Sequence, residues 1–173
     1  MRKIVLGVTG SIAAYKAAEL VRLFVKSGDD VSVVMTEAAT KFVTPLTFQT
    51  LSRNPVGINS FTDQITWKPE HISLAEKADL VVIAPATANT LAKIRYGLAD
   101  NLLTETVLAT RSPIVVAPAM NTCMYESAVF QETRQVLLDR GVQFVEPTVG
   151  ELACGTTGRG RMAEPQTIFE ACR

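Results

Sequence analysis

Short apolar runs, rich in β-branched residues, recur along the chain and alternate with longer segments whose apolar positions fall at helical spacing. Such runs read as fully buried parallel strands, because helices covering both faces of a sheet leave no polar alternation. Residues 3–8, 31–35, 80–84, 113–117 and 142–145 fit, and the third run stops at Pro85. A helix is predicted over 12–26, with Ala13, Ala17, Leu20, Val21 and Phe24 on one stripe and Gly28 as its stop. Further helices are predicted over 36–42, ended by Pro45; from His71 up to the third strand; and over 87–96 and 100–109. An amphipathic helix is predicted over 126–140, closed by Gly141, and a last helix near the end of the sequence. The stretch 47–63 reads as a small helix followed by an irregular or edge segment, 64–70 as loop, and 147–162 as glycine-rich loop.

Strands alternating with helices imply an α/β fold: a doubly wound parallel sheet in a Rossmann- or flavodoxin-like three-layer sandwich. With 173 residues and no repeat or linker, the chain reads as a single domain over 1–173. Hydrophobic residues make up 47% and charged residues 20%, a globular balance. Lys plus Arg and Asp plus Glu number 17 each, which gives no electrostatic footprint for nucleic acid or an acidic membrane. The 3 cysteines, Cys123, Cys154 and Cys172, form no C-x-x-C pair. That argues against a disulfide framework or a zinc site and for a reducing, cytoplasmic compartment. Arg2 and Lys3 precede an apolar run, but Gly7 and Gly10 interrupt it, so neither a signal peptide nor a membrane span is expected.

Open α/β sheets bind ligands at the carboxyl ends of their strands. After the run 80–84 come Ala86, Thr87, Ala88, Asn89 and Thr90, small enough for close approach and polar enough to cap a helix. The first βα turn, G-V-T-G-S, places Gly10 and Ser11 at a helix start, a natural anion site, without making a G-x-G-x-x-G fingerprint. The end of the second strand carries Thr36, with Glu37 just after it, where a dinucleotide fold usually puts an acid for the ribose. A hydroxyl there suits a terminal phosphate, so a mononucleotide such as FMN is favoured over NAD. The same residues would equally make a tight turn with ordinary caps. His71, the 1 histidine of the chain, precedes I-S-L-A at an expected helix start. The helix dipole disfavours its charged form, so it reads as a neutral base, although a surface or capping role is commoner for a lone histidine. Cys154 lies among glycines, an unusual setting for a structural cysteine. Asn121 ends the strand-and-turn P-A-M-N; its amide could bind a carboxylate or cap a helix. Met120, Met124 and Met162 read as packing residues.

G-S-I at 10–12, H-I-S-L-A at 71–75, P-A-T-A-N-T at 85–90, A-D-N-L-L at 99–103, P-A-M-N-x-x-M at 118–124 and A-C-G-x-x-G-x-G-R-M at 153–162 occur in order. Together they resemble the flavin-containing cysteine decarboxylases, and among them the branch acting on 4'-phosphopantothenoylcysteine, over nearly the whole chain. Three residues depart from that pattern: Thr87 stands for serine, Tyr125 for tryptophan, and Thr156 for an acid. The resemblance implies FMN held by Gly10, Ser11, Ile12, Thr36, Thr87, Ala88, Asn89, Thr90 and Ala119. It implies substrate held by Asn121 with Met120, Ala153 and Gly155, His71 as base, and Cys154 as donor of a proton in the reductive half. The implied reaction is oxidative decarboxylation of the cysteinyl group, then protonation and reduction of the resulting enethiol to 4'-phosphopantetheine, a step of coenzyme A synthesis. It further implies a homo-oligomer, a trimer or an assembly of trimers with FMN at a subunit boundary, and a phosphopantothenoylcysteine synthetase, fused or separate, as partner. A peptidyl-cysteine decarboxylase is the rival enzyme, disfavoured because it would not need Cys154. A non-catalytic FMN-binding regulatory subunit would tend to lose the histidine. A flavin prenyltransferase leaves the last two motifs without a role.

Overall fold

A computed structural model of the chain describes residues 1–60, 69–151, 155 and 157–173. The apolar runs become strands β1 (Lys3–Val8), β2 (Asp30–Met35), β4 (Leu80–Ala86), β5 (Ile114–Pro118) and β6 (Gln143–Phe144), and a short strand β3 (Val56–Gly57) joins them. They form one sheet in the order β3-β2-β1-β4-β5-β6, parallel at every pairing. That is the strand order of dinucleotide-binding folds; without the short edge strand β3 it is the flavodoxin order. The helices are α1 (Ala14–Lys26), α2 (Pro45–Ser52), α3 (Glu70–Lys77), α4 (Ala88–Tyr96), α5 (Leu102–Ala109), α6 (Thr122–Glu126), α7 (Ala128–Asp139) and α8 (Pro165–Ala171).

Successive strand residues point to opposite faces, and here both faces are buried. Ile4, Leu6 and Val8 of β1 face a core shared with α1, α2 and α8, in which Leu20, Phe24, Phe48 and Ile168 are fully buried. Phe24 and Phe169 meet edge to face there, with ring centres 5.4 Å apart. Val5 faces a second core with Leu91 of α4, Leu102 and Val107 of α5, and Leu137 of α7. The continuous apolar character of the strands thus has its expected cause, a helical layer on each side. No helix among the described residues is long and apolar enough to cross a membrane.

The differences from the sequence reading have physical reasons. β4 does not stop at Pro85 but continues to Ala86, because its pairing with β5 shifts between Ile83 and Ala86 and a bulge tolerates a residue without an N–H. Pro45 opens α2 instead of ending a helix; its missing N–H costs nothing at a first helical position. Residues 36–42 hold only a 3₁₀ turn, Ala39–Lys41. The helix expected over 126–140 is present as α7 with shifted ends, Ser127 capping it by accepting from the Phe130 N–H, and the short α6 before it is not foreseen in the sequence. The glycine-rich stretch 147–162 is not all loop, since β7 (Thr148–Glu151) and β8 (Thr157–Arg161) pair as an antiparallel hairpin. The ambiguous stretch 47–63 resolves, as far as residue 60, into the rest of α2 and the edge strand β3.

Candidate active site

β1 leads into α1 on one face of the sheet and β4 into α4 on the other. The chain therefore parts at the carboxyl ends of these two neighbouring strands, where doubly wound sheets open a crevice. Thr9, fully buried, fastens the two turns together: its hydroxyl donates to Pro85 O at 2.7 Å and accepts from Thr87 N at 3.0 Å. Gly10 follows because the turn runs against the segment after β2. A Cβ at that position would lie 2.5 Å from Cβ of Ala38.

Between these segments lies a cleft of about 390 Å³. Gly10, Thr36, Glu37 and Ala38 line it from the β1 and β2 side, and Thr87, Asn89 and Thr90 from the start of α4. Lys93, Asp100 and Asn101 complete the wall. Lys93 Nζ lies 2.5 Å from Asp100 Oδ2, and that ammonium holds the exposed Asp100 carboxyl below its usual range. Asn101 caps α5 by accepting from Thr104 N at 3.1 Å. The hydroxyls are arranged as donors. Ser11 Oγ accepts from Ala13 N, and Thr36 Oγ1 accepts from Ala39 N, so in both the O–H remains to donate. Thr87 Oγ1 accepts from Thr90 N and donates to Thr90 Oγ1, which passes the free O–H to Thr90. Donor hydroxyls and backbone amides at a helix start, with the Thr36 hydroxyl as the last group of the β2 end, suit a phosphorylated mononucleotide.

Five of the residues expected to hold a cofactor therefore share one cleft: Gly10, Thr36, Thr87, Asn89 and Thr90. The others are placed around it. Ser11 shapes the turn, and Ile12 is 55% exposed beside it. Ala88 and Asn89 line a neighbouring apolar cavity of about 490 Å³ together with Cys123, Met124 and Phe130. Ala119 is buried in the core, its N–H bonded to Ala86 O at 3.1 Å.

Beyond β5, Asn121 is the N-cap of α6, its Oδ1 accepting from Cys123 N at 2.8 Å. The cap fixes the plane of the amide. The hairpin docks on this turn: Met120 N bonds to Gly160 O at 3.0 Å. The contact is close enough to require glycine. A Cβ at Gly160, where φ is +143°, would fall 2.1 Å from Met120 O, and one at Gly158 would fall 2.3 Å from Thr122 Oγ1. Gly155 is exposed, with φ at +81°. Ala153 and Cys154 lie outside the described residues.

His71 sits in the first turn of α3, as its sequence context predicts. Its Nδ1 lies 3.4 Å from Oε2 of Glu105, in the first turn of α5. Ser60 Oγ donates to the same carboxylate oxygen at 2.5 Å. The adjacent Glu70 has its carboxyl pushed up by burial. His71 stands on the β3 side of the sheet, since a Cβ at Gly57 would lie 3.2 Å from Oε1 of Glu70. Asn121 stands beyond β5. Four strand spacings, about 19 Å, separate β3 from β5. One copy of the chain thus carries the histidine and the asparagine on two different sides of its crevice.

Thr9, Glu105 and the surroundings of Tyr125 escape a reading of the sequence. Tyr125 is buried against Phe130, and its hydroxyl donates to Glu146, whose other oxygen accepts from Arg134. Burial first, then the bond to Glu146, push its phenol up to about 12. A tryptophan could donate from its ring nitrogen only; the phenol has found a carboxylate within reach.

A family model described as Flavoprotein matches residues 1–173. The coenzyme A biosynthesis bifunctional protein CoaBC of Bacillus subtilis (strain 168) is 46% identical over 169 residues, covering 98% of this chain and 42% of that protein. The chain thus spans about two-fifths of the length of the curated relatives it matches. Among solved structures, a PPC decarboxylase cysteine-to-serine mutant complexed with pantothenoylaminoethenethiol superposes with a TM-score of 0.88 at 34% identity, covering 99% of this chain and 96% of that one. The FMN binding protein AtHal3 superposes with a TM-score of 0.85 at 35% identity, over 99% and 95% of the two chains.

Proposed function

The chain belongs to the flavoprotein family, and from that membership we propose that it binds FMN and decarboxylates 4'-phosphopantothenoylcysteine to 4'-phosphopantetheine in coenzyme A biosynthesis. The observation that carries the proposal is the donor-lined cleft, where Gly10, Thr36, Thr87 and Thr90 meet at the parting of β1 and β4. Bound FMN supplies the two-electron oxidation and re-reduction that make carbon dioxide a feasible leaving group. The protein's residues do the rest. Ser11, Thr36 and Thr90 donate to the cofactor's phosphate and polyol. The Asn121 amide, its plane set by the α6 cap, orients the substrate carboxylate until it departs. His71 accepts the proton released as the cysteinyl group is oxidised, and Cys154 returns a proton to the enethiol carbon. The hairpin of β7 and β8 docks on the Asn121 turn.

The separation of the strands beside which His71 and Asn121 stand supports a homo-oligomer whose sites are completed by a second copy, as in a trimer or an assembly of trimers. The bifunctional relatives support a synthetase as partner, fused to this domain or on a separate chain, and a cytoplasmic setting for both. The decisive experiment uses the purified protein with FMN and phosphopantothenoylcysteine, measuring carbon dioxide and reduced product. Wild type should be yellow and active. His71→Asn should retain FMN while turnover falls by roughly 10²-fold or more, the scale of a lost general base. A colourless protein that ignores FMN would refute the assignment, and normal turnover in His71→Asn would remove His71 from the role of base.

A further inference from the structure

We propose that Glu105 is the positioning residue of His71: its carboxylate holds the imidazole proton on Nδ1 and thereby leaves Nε2 as the basic nitrogen. The inference rests on the reading of His71 as the base. Its geometry is independent of that reading. The helices α3 and α5 pack side by side, and each presents one residue of its first turn to the other. His71 Nδ1 and Glu105 Oε2 lie 3.4 Å apart, with side chains 28% and 23% exposed. Both are shielded enough for the contact to outlast competition from water.

The facing oxygen is itself fixed, because Ser60 Oγ donates to Oε2 at 2.5 Å. A serine hydroxyl that donates to the carboxylate restricts its rotation and leaves lone pairs for the imidazole. The other carboxyl of this corner, Glu70, is turned toward Gly57 of β3, as the 3.2 Å separation of its Oε1 from a Cβ there indicates. Glu105 is thus the described carboxylate that faces the ring. A carboxylate facing Nδ1 attracts an N–H and repels a lone pair, so it sets the tautomer of a neutral imidazole. Among the described residues no other carboxylate faces the ring to set which nitrogen is basic.

The chain has 1 histidine, so its ring ¹⁵N signals need no assignment. The full chain loaded with FMN is labelled in histidine, and two-bond ¹H–¹⁵N spectra are recorded at about pH 8.5, above the ordinary imidazole range. Wild type should show the proton on Nδ1. Glu105→Leu keeps the bulk and loses the acceptor; its Nδ1–H to Nε2–H ratio should fall roughly tenfold, the scale of one charge-assisted hydrogen bond. Its kcat should fall in step, with KM for phosphopantothenoylcysteine little changed. Glu105→Gln retains a carbonyl acceptor and should restore both the tautomer and much of kcat. Should Glu105→Leu not fold, Glu105→Ala carries the same comparison. Ring signals that are the same with and without the carboxylate would overturn the proposal. So would a changed tautomer with unchanged kcat. Normal turnover in His71→Asn is a different failure: it removes the base role itself, and the positioning role with it, whatever the ring signals show.

Discussion

Tyr125 shows how one side chain can tie the stability of the fold to pH. Burial and the acceptor Glu146 hold its phenol at about 12 in the folded chain, whereas an unfolded tyrosine gives up its proton near the ordinary value of about 10. Because the folded value is the higher one, the contribution is complete below about pH 10 and is lost as pH rises through about 12. Phenylalanine has no such proton. In urea unfolding, the advantage of wild type over Tyr125→Phe should narrow by about 2 kcal/mol between about pH 9 and pH 11.5. A constant gap would mean that the phenol titrates alike in both states. Other single residues differ in how far the sequence discloses them. The hydroxyls of Thr36, Thr87 and Thr90 are legible because helix starts are local events, read from a few neighbours. Thr9 and Glu105 are not. A threonine inside a turn looks like turn filler, and Glu105 reaches His71 only through the packing of two helices that are distant in sequence.

Among the elements, the hairpin is where pattern and structure part most. Parallel strands announce themselves by apolar runs, and all of the expected ones are present, β1 with the expected ends and the others with shifted ends. β7 and β8 have no such run, because Gly150, Gly158 and Gly160 occupy positions where side chains would otherwise alternate. Those glycines serve close packing instead of a core. Gly160→Ala tests this: the new methyl would meet Met120 O at 2.1 Å on a backbone that a side chain rarely adopts. The substitution should cost more than about 1 kcal/mol in unfolding experiments and expose the hairpin to protease before the sheet is cut. Unaltered proteolysis would show that the hairpin does not depend on this seat. α6 is hidden for another reason. It is only 5 residues long, too short to show an apolar stripe at helical spacing.

Across the whole molecule, His71 and Asn121 stand by different strands of one sheet, which makes mixed assemblies informative. His71→Asn and Asn121→Asp should each be nearly inactive alone. Co-expressed, they should regain up to about one quarter of wild-type activity if each site takes its histidine and its asparagine from different copies at random. No recovery would place both residues of a site in the same chain. The surfaces through which copies can meet are limited by the ends of the sheet. Its outermost strands, β3 and β6, are only 2 residues long each. So short a margin offers almost no row of open amide and carbonyl groups on which a foreign strand could be templated. Association of copies is thus not templated by the margins of this sheet, and the same shortness guards it against open-ended stacking into fibres at the high concentrations of a cell.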